Sequence, residues 1–200
     1  MNILILSETL WPKGSGGELA TYLYAKLLAR NGMNIKIVTL SSFNSSNNIQ
    51  GELRAYMLPV VGYGKYIIMP FSSRKKLREL VEWSDLIYSA GLFSLILSIK
   101  RRFKKPLVVH IHSYFPACPV GSLYNLEKDS VCKPNNRDCT KCIWYYERGH
   151  LRSFKQALAS ILLNSTVGKY FCSFLKFADA LIFVSKAQKS LFLKHTDICI

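Results

Sequence analysis

The sequence predicts an α/β fold organised as a doubly wound, mostly parallel β-sheet. Its apolar runs are short and unbroken, as in strands buried on both faces of a sheet. Segments of helical period separate them. The first forty of the 200 residues already read strand, glycine-containing loop, helix, strand.

Asn2 to Leu6 is the opening strand, a leucine and isoleucine run without polar alternation. The expected helix spans Glu18 to Arg30, with Leu19, Tyr22, Leu23, Lys26, Leu27 and Arg30 at three-and-four spacing and a stop at Asn31-Gly32. Ile35 to Leu40 returns as a second buried strand, completing a βαβ unit. A strand is expected over Leu53 to Leu58, a basic helix over Ser73 to Trp83 and a strand over Asp85 to Tyr88. A helix over Phe93 to Phe103 and the strand Leu107 to Ile111 follow. A polar, cysteine-bearing insertion is assigned to 118–149, then a helical stretch, the strand Ala180 to Val184 and a helix from Ser185 to Lys194. Such alternation with short joints is the Rossmann pattern, in which ligands sit beyond the carboxyl ends of the strands.

Bulk properties narrow the class further. A length of 200 residues with 50% hydrophobic and 20% charged residues suits one domain with a real core and excludes a disordered chain. The start MNILILSE lacks a basic region and a cleavage site, so no signal peptide is expected, and Gln156 to Gly168 falls short of a spanning helix. Charge is strongly positive, 27 Lys and Arg against 12 Asp and Glu, and ten basic but only three acidic residues lie between Lys65 and Lys105. That excess attracts phosphate, whether in nucleotides, lipid headgroups or nucleic acid, or it is simply a solvated basic surface. Nucleic acid is the least expected partner, because no RNP-type aromatic motif, zinc finger or recognition helix is present.

Three groups of residues carry chemistry. In GSGGE, Gly14 to Glu18, glycines precede a helix, where backbone N–H groups and the helix dipole favour an anion. The spacing matches neither the dinucleotide fingerprint nor the P-loop, so a plain turn stays an open alternative. His110 and His112 share one face of a strand, but only His112 stands at its carboxyl edge, so His110 is expected to be structural and His112 functional. Cys118, Cys132, Cys139 and Cys142 form a C-x13-C-x6-C-x2-C set in the polar insertion. A structural tetrahedral zinc site, disulfides and free thiols are all compatible with that spacing.

Four stretches together resemble a known family. They are MNILILSETLWPKGSGGELATYLYAKLLARNGMNIKIVTL, WSDLIYSAGLFSLIL, KPLVVHIHSYFPACP and ADALIFVSKAQKSLFLK. They look like the amino-terminal domain of glycosyltransferase family 4, retaining sugar transferases of GT-B architecture with two facing Rossmann-like domains. Tyr88 and Ala90 stand where that family commonly has histidines, and Ser113 replaces its usual aspartate. The resemblance covers nearly the whole of 1–200, and a subgroup of the family carries a similar cysteine set.

The resemblance implies transfer of a sugar from a nucleotide-sugar donor to a glycan or lipid-linked acceptor, with retention of configuration and without a required catalytic metal. It implies that Gly16 and Gly17 approach the donor diphosphate and that His112 hydrogen-bonds the donor sugar near the reacting centre. Glu18, at the start of the first helix, and Tyr114, Ser185 and Lys186, past the carboxyl ends of later strands, are the acceptor-side candidates. In this family a second, carboxyl-terminal domain holds most of the donor, so a chain ending at Ile200 is expected to be a fragment, inactive alone. A cytoplasmic enzyme is expected, peripheral at an anionic membrane face through SSRKKLR at Ser72 to Arg78 and KRRFKK at Lys100 to Lys105. The competing expectations are a non-catalytic nucleotide- or glycan-binding domain and a metal-stapled interaction domain.

Overall fold

The structure, a computed structural model, describes residues 1–41, 53–59, 61–63, 66–68, 70–92, 99, 102–132, 139–150 and 153–196. Its chain gathers into two compact units, Met1–His112 with Phe177–Ile182, and Ser113–Lys176 with Phe183–Ile200. The insertion expected over 118–149 lies in the second.

A six-stranded sheet organises the first unit. Its strands are β1 (Asn2–Ser7), β2 (Asn34–Ser41), β3 (Arg54–Pro59), β6 (Leu86–Ala90), β7 (Leu107–Ile111) and β10 (Ala180–Phe183), in the order β10-β7-β6-β1-β2-β3. β1 pairs in parallel with β2 and β6, and the β2–β3 and β6–β7 pairs are parallel too. This is the doubly wound order: the chain runs outward from β1 through β3, then returns to β6 beside β1 and runs outward the other way. The reversal opens a crevice past the carboxyl ends of β1 and β6.

β1 explains why the sheet is parallel. Five consecutive residues, Ile3 to Ser7, are buried, so both faces must be covered and each return must cross over through a helix or a long loop. α1 (Gly16–Arg30) makes the first crossover and α2 (Phe71–Trp83) lies between β3 and β6. The core gathers Ile3, Ile5, Ala25, Ile35, Ile37, Leu53, Tyr88 and Ala90. At the amino edge two aspartates set strand register in the same way. Asp85, just before β6, accepts from the N–H of Asn2 at 2.8 Å, while its own N–H donates to the Asn2 carbonyl. Asp179, just before β10, repeats this on Leu107, accepting its N–H at 2.8 Å and donating to its carbonyl.

The elements match the sequence expectations closely, with three differences. The expected apolar stripe of α1 is turned: Leu23 and Leu27 are 54% and 58% exposed, whereas Thr21 and Ala25 are fully buried. Small side chains let the helix backbone lie close to the sheet, and this overrides the larger apolar stripe. Two short antiparallel pairs, β4 (Val61–Tyr63) with β5 (Tyr66–Ile68) and β8 (Tyr124–Asn125) with β9 (Ser130–Val131), have no strong pattern in the sequence. The insertion ends in a helix, α3 (Thr140–Gly149), whose inward residues include Cys142 and Glu147, so it shows no clean apolar period. The helix expected over Phe93 to Phe103 falls largely outside the described residues.

In the second unit α3 precedes a long helix, α4 (Phe154–Leu175), and the unit ends with α5 (Lys186–Lys194). Buried Glu147 on α3 accepts a hydrogen bond from Ser160 of α4 at 2.7 Å, and Trp144 meets Phe154 edge to face. No helix among the described residues is long and apolar enough to cross a membrane.

The turned face of α1 separates two substitutions. Ala25→Leu should lose about 1–3 kcal/mol by overpacking. Leu27→Ala should stay within about 0.5 kcal/mol in urea unfolding. The reverse ranking would return the leucine stripe to the core.

Candidate functional site

The carboxyl edge of the sheet brings a compact set of groups together in the first unit. Ala90, the last residue of β6, is in register with His110, so β7 runs past β6 and carries His112 into the crevice. α1 begins directly opposite. Its N-cap is Ser15, and Glu18 reaches back so that one carboxylate oxygen accepts from the Ser15 N–H at 2.7 Å and its hydroxyl at 2.8 Å. Gly14 must be glycine, because its φ is +107° and a Cβ there would lie 2.6 Å from Glu18 Cγ.

Gly16 and Gly17 differ in what surrounds them. A Cβ on Gly16 would meet nothing within 4 Å, whereas on Gly17 it would press on His112 Cβ and Cγ at 3.3 Å. The missing side chain of Gly17 is thus the space into which the imidazole packs. As the first two residues of the helix, both glycines have N–H groups with no intrahelical acceptor.

Thr21 fixes the ring. Its hydroxyl donates to the Gly17 carbonyl at 2.9 Å, which leaves its oxygen to accept from His112 Nε2 at 3.3 Å. The proton therefore sits on Nε2, and Nδ1 carries the lone pair. Among the described residues no side chain or backbone group hydrogen-bonds that Nδ1.

His110 lies beneath, its ring centroid 3.9 Å from that of His112. It is 3% exposed, with Tyr88 hydrogen-bonded to its Nδ1 and the Tyr24 ring 5.7 Å away. Burial and the neighbouring His112 push the His110 pKa down to about 4. Burial also lowers that of His112, against the pull of Glu18. Burial, then Tyr24, raises that of Tyr88, so Tyr88 keeps its proton and donates to a neutral His110. Burial of Glu18 opposes ionisation, but the Ser15 hydrogen bonds and His112 outweigh it and keep the carboxylate charged. The pair of imidazoles is therefore neutral near pH 7 and acts through hydrogen bonds and stacking.

The structure thus brings Gly16, Gly17, Glu18 and His112 into one place, with Glu18 engaged in capping the helix. Tyr114, Ser185 and Lys186 belong to the second unit. There the Tyr114 N–H donates to the Gly121 carbonyl, Ser185 caps α5 by accepting from the Gln188 N–H at 3.0 Å, and Lys186 is exposed. The four insertion cysteines also lie there. Cys118, Cys132, Cys139 and Cys142 line one small cavity in the thiol form. Burial, then the neighbouring Cys118 and Cys142, raises the Cys132 pKa. Among the described residues no group of three or more His, Cys, Asp or Glu side chains is set to hold a metal ion.

Thr21 and Tyr24 escaped the sequence reading, and Tyr88 entered it only as standing where the resembled family commonly has a histidine. A threonine four residues after a glycine on a helix is the faint signal of the first; Tyr24 carried none.

A family model described as Glycosyltransferase Family 4 matches residues 14–199. No curated protein matches the chain. Among solved structures, the Arabidopsis thaliana UGT89C1 complexed with UDP-L-rhamnose aligns at TM-score 0.43 and 10% identity, over 97% of this chain and 49% of its own. This chain therefore spans about half the length of that protein. The Shewanella denitrificans Kef CTD in AMP-bound form aligns at TM-score 0.37 and 12% identity, over 86% of this chain and 97% of its own. Neither likeness is near enough to carry an argument.

The buried imidazole sets a pH dependence. Unfolded His110 takes up a proton near pH 6.5, while the folded protein resists it until about pH 4. Stability should therefore fall as pH drops through that window, with His112 adding in the same direction. His110→Phe should flatten this part of the profile in urea titrations across the window, and an unchanged slope would show that His110 is not held neutral.

Proposed function

Since the chain belongs to Glycosyltransferase Family 4, we propose that it forms the acceptor-side half of a retaining enzyme that moves a sugar from a nucleotide-sugar to a glycan or lipid-linked acceptor. One observation carries this reading: the close contact of His112 with Gly17 at the open amino end of α1. It sets a neutral imidazole against a helix end whose first two N–H groups have no intrahelical acceptor.

In this proposal Gly16 and Gly17 donate to the donor diphosphate as it departs. Such charge is best stabilised by fixed dipoles that need no reorganisation. A helix amino end contributes about 0.3–1 kcal/mol when exposed and up to about 2 kcal/mol when partly buried. That is only about a thirtyfold gain in binding at best, so most of the donor's affinity must come from groups beyond α1. His112 accepts a sugar hydroxyl at Nδ1, with Thr21 holding its tautomer and His110 supporting its plane. A neutral imidazole suits this role, because a charged one would have no lone pair to offer. No metal is given a part in the reaction.

We also propose attachment to an anionic membrane face on the cytoplasmic side. α2 supports this with an 85% exposed Phe71 beside exposed Arg74 and Lys75. Two of its cations are offset, Lys76 by Glu79 at 3.0 Å and Arg78 by Glu82 at 2.9 Å. In the other basic run Arg102 and Lys104 are exposed, Lys105 donates to the Ser84 carbonyl at 2.7 Å, and Lys100 and Arg101 lie outside the described residues.

Two outcomes test these readings. In a donor and acceptor screen on the natural protein, His112→Ala should lower kcat about 100-fold or more. Gly17→Ala, which displaces the ring, should lose activity while the protein stays folded. Full turnover by His112→Ala would remove the site. In vesicle co-sedimentation, binding should favour anionic over neutral lipid and weaken with salt. Equal binding to both would remove the membrane proposal.

A further inference from the structure

The cysteine-lined cavity in the second unit is independent of the sugar-transfer site, and the way its walls are built points to an ion. Three separate backbone segments deliver the four thiols. Cys118 sits in a turn closed by its N–H to the Tyr114 carbonyl at 2.8 Å and by the Gly121 N–H to its own carbonyl at 3.0 Å. Cys132 leaves β9 with its N–H bonded to the Leu123 carbonyl at 2.9 Å. Cys139 caps α3 and Cys142 ends its first turn, the Ile143 N–H returning to the Cys139 carbonyl at 2.8 Å.

The space they enclose is about 20 Å³, and the remaining lining is Pro119, Val120, Asn125 and Ile143. A water would fit by size, since about 10–15 Å³ suffices, but it needs two to four polar partners. Asn125 is the one hydrogen-bonding side chain besides the thiols, and its Oδ1 already accepts from the N–H groups of Glu127 and Lys128 at 2.9 and 3.0 Å. What the cavity offers is four sulfur donors in an apolar surround, the preference of a soft or borderline cation. The first-turn N–H groups of α3 add positive potential beside two of them, which favours thiolate over thiol.

Among the described residues the fastening of this hairpin is light: the Cys142 Sγ–H donates to the Tyr124 carbonyl at 3.5 Å and His195 Nε2 meets the Cys132 carbonyl at 3.1 Å. β8 and β9 are two residues each, far too short to hold a hairpin by themselves. The ion pair from Lys141 to Glu127 at 2.8 Å is mostly exposed on the lysine side and adds little. We propose that Cys118, Cys132, Cys139 and Cys142 bind one zinc ion as a closed, structural tetrathiolate site that fastens the β8–β9 hairpin to the first turn of α3. The side chains are not set in ligating geometry as they stand, so binding requires the four thiols to reorient around the cavity they line. Each thiol gives up its proton as its sulfur binds, so uptake releases protons and weakens in acid.

Metal analysis of the full chain purified without added zinc should find one zinc per chain. X-ray absorption at the zinc edge should show four sulfur neighbours at about 2.3 Å. Cys139→Ser with Cys142→Ser should abolish tight binding, while Cys172→Ser, outside the cavity, keeps it. Because the double variant can fail to fold, the stripped wild type is also titrated with Co²⁺, and a tetrahedral thiolate spectrum displaced by Zn²⁺ is expected. Absence of metal together with no Co²⁺ spectrum, or nitrogen and oxygen neighbours at the zinc edge, would overturn the proposal. So would protection of the four thiols as two disulfides.

Discussion

The burial of β1 on both faces is the constraint from which the rest of the first unit follows. A strand with no solvent-facing side cannot belong to a one-sided meander, so its neighbours run parallel and every return crosses over a face of the sheet. Parallel strands collect all their carboxyl ends along one edge, and the reversal beside β1 leaves a crevice there. The two edges are then put to different uses. At the amino edge Asp85 and Asp179 close the starts of strand pairs with reciprocal hydrogen bonds to Asn2 and Leu107. At the carboxyl edge β7 overruns its neighbour and leaves His112 uncovered by β6.

Close approach of α1 to the sheet turns that edge into a site. Thr21 and Ala25 face inward in place of Leu23 and Leu27, which costs apolar burial on the helix but brings its backbone near β1 and β6. Gly17 continues this small-residue face to the very end of the helix, where His112 fills the space. The same tight packing desolvates His110 and keeps both imidazoles neutral. Position, tautomer and charge of His112 thus come from one packing decision. The outcome is a neutral imidazole packed against a helix end whose first two N–H groups have no intrahelical acceptor.

The second unit is held by different means. Its helices α3 and α4 share a buried carboxylate with a serine hydroxyl, and its hairpin is too short to stand alone. Asn125 spends its side-chain oxygen on the turn at Glu127 and Lys128. Four thiols from three segments line the cavity beside it, and their convergence carries more meaning than their spacing in the sequence.

Much of the fold was legible from residue order, because strand and helix periods are local: the unbroken run of β1, the glycine stop after Arg30 and the carboxyl-edge position of His112 all read directly. Less was legible where a polar or small residue does the work of an apolar one. Small residues hid the inward face of α1, Cys142 and Glu147 hid the period of α3, and β8 and β9 were too short to pattern. The chain order by itself thus determined the parallel sheet and the edge to which His112 and the start of α1 belong, since both follow from local hydrophobic period. Only the tertiary structure decided which groups meet there: Thr21 reaches His112 across 91 residues of sequence. That contact depends on how closely a helix and a sheet pack, a property no local pattern encodes.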